Sequence, residues 1–370
     1  MPAKASAVFY VSGHGFGHAT RARVLIEALH RRLPSLTLEV RTSAPSWLFA
    51  GTEAAAFVTA LAPEFDPGML QQNGLDIDLA ASLAAHEALG LSWDSRVDAE
   101  ADHLRKRGPA LVLGDIPAAA FAAASAAAVP SIAIGNFSWD WVSSQYEASE
   151  PRWRAVAQRY ASAYAGAEEL FRLPMACPMP AFKRVTDAPL LVRRPQLERG
   201  AARRVLGLHP DEERPVILLS FGGFGGGDLD LLRSEDLRDF IFLGFGPRPR
   251  GLKTDWVSLT RRTPVPHVDI MAACDMIVTK PGYGSFAEAV AQKRRVLYIP
   301  REGFPESGVL TGWLHSHGVC SALKREDFVV GRWRGAIEAL LEAPEAWAPV
   351  PLDGGDFIAE AVARRAAGLI

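Results

Sequence analysis

The sequence has few cysteines, no long apolar run and almost no net charge, and each of these absences excludes a class of protein. Its three cysteines, Cys177, Cys274 and Cys320, are too far apart for a disulfide framework or a zinc site, so we expect a reducing, cytoplasmic location. No apolar run approaches the roughly 20 residues of a membrane span, so membrane contact is expected to be peripheral at most. A net charge of −2 provides no basic field for nucleic acid.

The length and composition favour a soluble α/β protein with two domains. A chain of 370 residues is too long for one ordinary core, and no secretory signal peptide is expected at its N-terminus. Strand and helix patterns alternate through both halves, with a proline-rich stretch between them. We therefore predict an N-terminal domain over 1–185, a C-terminal domain over 196–350, and a C-terminal helix within 351–370 that packs back toward the N-terminal domain.

The first predicted strand is followed by a glycine-rich loop that carries two histidines. An apolar run at 7–11 predicts a buried strand, and helical spacing of apolar residues predicts a helix over 22–33. Between them lie Gly13, His14, Gly15, Gly17 and His18. The spacing fits neither a dinucleotide fingerprint nor a Walker loop. The histidines indicate acid–base chemistry, the alternative being a tight turn in which they only cap the helix.

Other unusual residues of the first half also follow predicted strands. Asp115 ends one apolar run, and Asn136, Trp139 and Asp140 follow the next one. In open α/β sheets, ligands bind beyond the carboxyl ends of the strands. We therefore expect these side chains to lie near a site.

The second half repeats the arrangement of a strand followed by glycines. Five glycines occur within 221–227, where Gly222, Gly223, Phe224 and Gly225 are candidates for holding a diphosphate on backbone N–H groups, unless the loop is a flexible surface turn. A later predicted strand leads into Lys280, Gly282, Gly284, Ser285 and Glu288. Ser285 and Glu288 have capping-box spacing, so Glu288 either bonds back to the cap or accepts both ribose hydroxyls of a nucleotide. Lys280 either supplies charge near phosphates or is solvated.

The segments 273–282 and 296–300, with Ser285 and Glu288, resemble the donor-binding segment of GT-B glycosyltransferases of the MurG type. The loop that ends at His18 is similar to the acceptor-side glycine loop of the same group. The motifs at 13–21 and 136–140 are more similar still to the N-terminal glycosyltransferase-like domain of plant L-arabinokinases. This resemblance implies a GT-B fold, in which two Rossmann-like domains with parallel sheets face a cleft.

The resemblance also implies an activity: transfer of a sugar from a nucleotide-sugar donor, with UDP as the nucleotide, to a hydroxyl acceptor. The donor would be a co-substrate bound by the C-terminal domain, the reaction would invert the anomeric centre, and neither a metal nor a further cofactor would be needed. Two alternatives stay open, namely a UDP-sugar 2-epimerase of the same architecture and a non-catalytic domain that binds nucleotide sugars.

Within this resemblance His18 matches the histidine near the reacting centre, and a histidine can take a proton from a hydroxyl near neutral pH. Asp115 and Asp140 would orient it or hold acceptor hydroxyls, or else only cap helices. Arg21 would meet a diphosphate or an anionic acceptor, or lie on a solvated helix face. Trp139 would stack on a sugar or belong to the core. Glu306 lies where related enzymes contact the donor sugar, but their usual residue pair is absent, which leaves the sugar open.

Overall fold

The computed structural model describes residues 6–51, 53–61, 65–221, 231, 234–260, 263 and 265–368. The chain divides into two compact units. The first contains Met1–Leu70, Ile77–Val192 and Pro351–Ile370, and the second contains Gln71–Asp76 and Arg193–Val350. The chain therefore contributes Gln71–Asp76 to the second unit before its main segment, Arg193–Val350, and returns to the first unit at Pro351.

The first unit is built on a parallel sheet of seven strands in the order β3-β2-β1-β4-β5-β6-β7. The strands are β1 (Ser6–Val11), β2 (Thr37–Thr42), β3 (Val58–Leu61), β4 (Leu111–Asp115), β5 (Ser131–Gly135), β6 (Glu169–Arg172) and β7 (Val185–Asp187). All residues of β4 and β5 are buried, which explains why these strands read as unbroken apolar runs. The strand order reverses between β1 and β4, the point at which open α/β sheets bind ligands.

Helices flank this sheet: α1 (Phe16–Arg32), α2 (Leu79–Leu91), α3 (Trp93–Arg107), α4 (Ala118–Ala126), α5 (Trp139–Ser144), α6 (Trp153–Tyr164) and α13 (Gly354–Gly368). Two short 3₁₀ turns occur at Ser46–Phe49 and Glu53–Ala56. The sequence over 78–107 predicts one long helical stretch, but the structure has two helices there, because the chain leaves helical geometry at Ser92 between α2 and α3. The C-terminal α13 packs on α1, where Arg31 pairs with Asp356.

The second unit contains a parallel sheet of six strands in the order β10-β9-β8-β11-β12-β13. The strands are β8 (Val216–Ser220), β9 (Asp236–Phe245), β10 (Lys253–Leu259), β11 (Met276–Thr279), β12 (Arg295–Tyr298) and β13 (Cys320–Ala322). The helices are α7 (Arg199–Val205), α8 (His267–Ala272), α9 (Tyr283–Ala291), α10 (Glu306–His317), α11 (Arg325–Val330) and α12 (Arg334–Glu342). The order again reverses beside the first strand, here between β8 and β11.

The apolar run at 240–243 predicts only the middle of β9, and no apolar run predicts the edge strand β10. Four of the seven residues of β10 are polar, and most are partly or fully exposed, as at the edge of a sheet, so β10 lacks the apolar run that marks the central strands. No helix in the described parts of either unit combines the length and the apolar character needed to cross a membrane.

Candidate functional site

The ends of β1 and β4 bring His18 and Asp115 together in the first unit. The two strands pair in parallel, with Val11 beside Asp115, and α1 begins five residues after β1 with Gly15 as its extended N-cap. His18, in the first turn of α1, therefore faces the last residue of β4. His18 Nδ1 lies 2.9 Å from Asp115 Oδ1, and both residues are buried. The carboxylate of Asp115 thus contacts the imidazole of His18.

The carboxylate determines the tautomer of His18. Asp115 accepts hydrogen bonds and offers no proton, so Nδ1 of His18 carries the hydrogen and Nε2 keeps its lone pair. Burial lowers the pKa of His18 from its ordinary value near 6.5 to about 4, and the nearby Arg21 adds to this effect, while Asp115 opposes it. The imidazole is thus neutral at pH 7. Among the described residues no side chain hydrogen-bonds to Nε2, so this atom is able to accept a proton from a ligand.

Arg21 is an internal residue, and the alternative of a solvated helix face is wrong. It is 5% exposed, and its Nε and Nη2 atoms donate to both oxygens of Asp115 at 2.7 and 2.5 Å. Its Nη1 donates to Asn136 Oδ1 at 2.7 Å. Burial alone would raise the pKa of Asp115, but Arg21 and His18 together hold it well below its usual range. Arg21 therefore keeps Asp115 ionised and joins the ends of β4 and β5.

A second buried carboxylate, Asp66, anchors the other histidine of the loop. Ser12 Oγ donates to Asp66 Oδ1 at 2.8 Å and lies 2.5 Å from His14 Nδ1. The indole of Trp139 donates to Asp66 Oδ2 at 2.9 Å. Asp66 is 2% exposed, and the nearby His14 together with the hydrogen bonds from Trp139 and Ser12 outweighs the effect of burial and lowers its pKa. Sequence reasoning did not select Asp66 or Ser12, since Asp66 lies in an irregular segment and belongs to no motif.

The imidazole rings of His14 and His18 are neighbours, with centroids 4.6 Å apart. Phe137 contacts both rings edge-on, and Trp139 contacts His14 at 5.0 Å. Trp139 is 1% exposed, so of its two expected roles the structure favours a buried wall residue.

The loop backbone packs closely at one glycine and stays open at two others. A Cβ at Gly13 would lie 1.9 Å from Ser43 Oγ and 3.0 Å from backbone atoms of Ser43 and Ala44, so a larger residue would require Ser43 to move. Gly15 and Gly17 have open space where a Cβ would be, so no steric demand for glycine exists there.

Asp140 lies apart from this cluster. It occupies the first turn of α5, and burial raises the pKa of its carboxyl. No hydrogen bond or ion pair joins it to His18, Asp115 or Arg21 in the described structure. The geometry supports Asp115, and not Asp140, as the partner of His18.

In the second unit Glu288 forms a buried ionic cluster. Its Oε1 accepts from Nε of Arg193 at 2.6 Å, and its Oε2 lies 3.2 Å from Nδ1 of His267. His267 Nε2 lies 3.1 Å from Oγ of Ser220, the last residue of β8. The capping-box alternative for Glu288 is wrong, because α9 begins at Tyr283 after Gly282 and has no side-chain cap. Arg193, His267 and Ser220 were missed, since they come from three separate segments.

The other donor-side candidates lie at the ends of β11 and β12. Lys280 donates to Gln71 at 2.9 Å, and burial together with the charge of Arg301 lowers its pKa from 10.5 to about 7, so the alternative of a solvated lysine is wrong. Gly284 and Ser285 lie in the first turn of α9. Glu306 is a buried residue in the first turn of α10. The predicted diphosphate loop, with Gly222, Gly223, Phe224 and Gly225, falls outside the described residues.

Acid should weaken the fold through two buried histidines, His18 and His86. Burial lowers the pKa of each from 6.5 to about 4 in the folded state. Below pH 6.5 the unfolded chain binds more protons than the folded one. The free energy of unfolding is therefore highest above pH 6.5 and falls as the pH drops toward 4. Each histidine should cost up to about 3 kcal/mol over this window. Urea unfolding at pH 7, 6 and 5 measures this loss, and a His86→Phe variant should have a shallower pH dependence; a constant free energy of unfolding would contradict it.

The sequence is similar to one long plant protein, whereas no family model matches it. It is 30% identical over 367 residues to the L-arabinokinase of Arabidopsis thaliana, and the alignment covers 97% of this chain and 34% of the relative. The chain thus spans about a third of the length of the curated relative that it matches.

Solved structures resemble the whole chain. The glycotransferase of kitacinnamycin superposes with a TM-score of 0.65 at 17% identity and covers 98% of this chain and 100% of its own. A UDP-glucosyltransferase from Polygonum tinctorium superposes with a TM-score of 0.61 at 15% identity and covers 99% of this chain and 95% of its own. MurG from Acinetobacter baumannii gives 0.57 at 10% identity, covering 97% and 99%. The chain has the GT-B fold.

The two parallel sheets are the two Rossmann-like halves of this GT-B fold, as the resemblance predicted. In the N-terminal GT-B half the candidate residues are the two histidines with their buried carboxylates. In the C-terminal half they are Glu288 and Lys280. Among the residues that the structure describes, no group of three or more His, Cys, Asp or Glu is arranged to hold a metal ion.

Proposed function

We propose that this protein is a glycosyltransferase that moves a sugar from a nucleotide-sugar donor, with UDP as its nucleotide, to a hydroxyl acceptor. The observation that carries the proposal is the pairing of His18 with Asp115, which leaves a neutral imidazole with its Nε2 lone pair at the reversal of strand order in a GT-B fold. The first unit would bind the acceptor and the second the donor. The reaction would invert the anomeric carbon and need no metal.

In this mechanism His18 is the general base. The acceptor oxygen bonds to the anomeric carbon while the nucleoside diphosphate leaves with the electron pair, and Nε2 of His18 takes the proton of the acceptor hydroxyl. A pKa of about 4 makes His18 a weak base before reaction, so proton transfer would follow bond formation, which acidifies the hydroxyl. Asp115, 2.9 Å from Nδ1, would then stabilise the imidazolium.

Arg21 and Asn136 would act as positioning residues. Arg21 holds both oxygens of Asp115 and also binds Asn136, so the carboxylate can neither rotate nor take up the proton. This preorganisation is what an electrostatic contribution to catalysis requires, since no reorganisation remains for the reaction step.

On the donor side, Glu288 would accept the ribose hydroxyls. Its carboxylate is ionised, because Arg193 and His267 lower its pKa against the effect of burial. Lys280 and the N–H groups at the start of α9, near Gly282, Gly284 and Ser285, would stabilise negative charge on the diphosphate. Glu306 would bind hydroxyls of the donor sugar. The loop at 222–227 stays a candidate for the diphosphate.

The donor assignment predicts selective binding that depends on Glu288. We expect calorimetry with UDP-, GDP- and TDP-sugars to find a UDP-sugar as ligand, and Glu288→Gln to raise its Kd by about 10- to 100-fold, since a hydrogen bond to a charged group contributes about 1.5–3 kcal/mol. Glu338→Gln, which alters a half-exposed acid in the same unit, is the matched control and should bind normally. Binding of none of the three sugars to the wild-type protein would disprove the assignment.

A further inference from the structure

The second histidine of the glycine loop is built into the fold in the same way as the first. Ser12 has one hydroxyl proton, and it goes to Asp66, which is ionised and can only accept. The hydroxyl oxygen must then accept from His14, 2.5 Å away, so Nδ1 of His14 carries the hydrogen. Nε2 of a neutral His14 therefore keeps its lone pair, like Nε2 of His18.

The two lone pairs belong to neighbouring imidazole rings. In an imidazole Nε2 lies across the ring from Nδ1, and both Nδ1 atoms point toward buried carboxylates or the serine bound to one. With ring centroids 4.6 Å apart, the two Nε2 atoms are the free polar ends of neighbouring rings. Within the described structure no side chain hydrogen-bonds to either of them. Two adjacent hydrogen-bond acceptors suit a ligand with two adjacent donors.

The surroundings narrow the chemical class of this ligand. Phe137 and Trp139 supply apolar rings beside the histidines, and Arg21 is committed to Asp115 and Asn136. An anionic ligand is disfavoured, because it would face these apolar rings and two nitrogen atoms that only accept hydrogen bonds. A phenol or a simple alcohol has one donor and would use only one histidine.

We propose that His14 is a specificity-determining residue, and that the acceptor is a sugar or another polyol in which two neighbouring hydroxyls donate to Nε2 of His18 and Nε2 of His14. The hydroxyl on His18 is the one that reacts, and the hydroxyl on His14 fixes its orientation. This assignment of the acceptor class rests on the proposed transferase function.

Small alcohols test the binding of two hydroxyls to the two Nε2 atoms without a nucleotide sugar. Titration of ¹⁵N-histidine-labelled protein with cis-1,2-cyclohexanediol and with cyclohexanol should show about tenfold tighter binding of the diol, since the second hydrogen bond contributes about 1–1.5 kcal/mol. His14→Phe keeps a ring against Trp139 but removes the acceptor nitrogen, so it should bring the two affinities within about threefold. Equal binding of both probes by the wild-type protein, or a diol preference that survives in His14→Phe, would overturn the proposal.

A second pair of variants moves His14 without replacing it. Gly68 has a φ of +66°, and a Cβ there would lie 2.6 Å from Cβ and Cγ of His14. Gly51 has a φ of +74° but open space around a Cβ. Gly68→Ala should therefore lower Tm by about 2–4 °C more than Gly51→Ala and also lose the diol preference. A Gly68→Ala protein that keeps the full preference would count against the role of His14.

The outcome for the acceptor site is separable from that for the donor site. Diol binding needs no nucleotide sugar. A protein that prefers the diol but binds no nucleotide sugar would therefore support the polyol site and contradict the transferase function. A protein that binds UDP-sugar through Glu288 but binds both probes equally would support the proposed function and contradict the polyol site. Matched titrations with D-galactose and myo-inositol then distinguish a sugar from a cyclic polyol.

Discussion

Replacing His18 with alanine should lower kcat for sugar transfer by about 10²–10⁴-fold, the usual contribution of a positioned general base. Donor binding should stay within about twofold, because His18 belongs to the first unit and the donor residues to the second. The measurement is steady-state transfer with a donor and acceptor found by screening, together with calorimetry of donor binding. His30→Ala is the matched control, since His30 lies in the last turn of the same helix and pairs with the exposed Glu53.

The same assay tests how His18 acts. Because the pKa of His18 is about 4 in the free protein, the decrease of kcat/KM at acid pH should have its midpoint near pH 4 and not near 6.5. Full transfer activity in His18→Ala, with the native acceptor, would show that another group takes the proton.

Replacing Asp115 with asparagine should destabilise the protein by about 3–5 kcal/mol, because breaking a buried ion pair leaves the other charge uncompensated. Arg21 is 5% exposed and cannot reach water without moving α1. The variant should also lose most transfer activity, since the imidazolium of His18 would no longer face a carboxylate. Urea unfolding at pH 7 measures the loss of stability, and transfer assays at 10 °C measure the loss of rate in the folded fraction.

Two further variants separate the charge effect from a general loss of packing. Asp187→Asn breaks the exposed ion pair with Arg172 in the same unit and should change stability by less than about 1 kcal/mol. Arg21→Met combined with Asp115→Asn removes both charges, and it should be less destabilised than the sum of the single variants. Additive losses would mean that the pair is not the reason for the instability.

Much of the fold followed from local patterns. The apolar runs of β4 and β5 identify buried parallel strands, because helices cover both faces of such a sheet. The edge strand β10 escaped prediction because an exposed edge allows polar residues. The break at Ser92 escaped it because no proline interrupts the sequence between 78 and 107.

The candidate site was predictable where its residues stand at strand ends. His18 and Asn136 follow β1 and β5, and Asp115 ends β4. Parallel strands of one sheet end at the same edge, so the sequence placed these residues at one edge of the sheet. Whether Asp140 or Asp115 serves His18 could not be decided this way. Both follow strands, and only the direction of each side chain in the folded unit distinguishes them.

By itself the sequence determined the class of fold, the two glycine-rich segments and the residues at the strand ends, since these depend on periodicity and on residue type. Only the tertiary structure decided the partners: Asp66 meets Ser12 across 54 positions of chain, and Arg193 meets Glu288 across 95. Such contacts leave no local pattern, because their geometry arises when distant segments pack. Those contacts determine which ring nitrogen of His14 and of His18 carries the hydrogen, and therefore the chemistry that we assign to the loop.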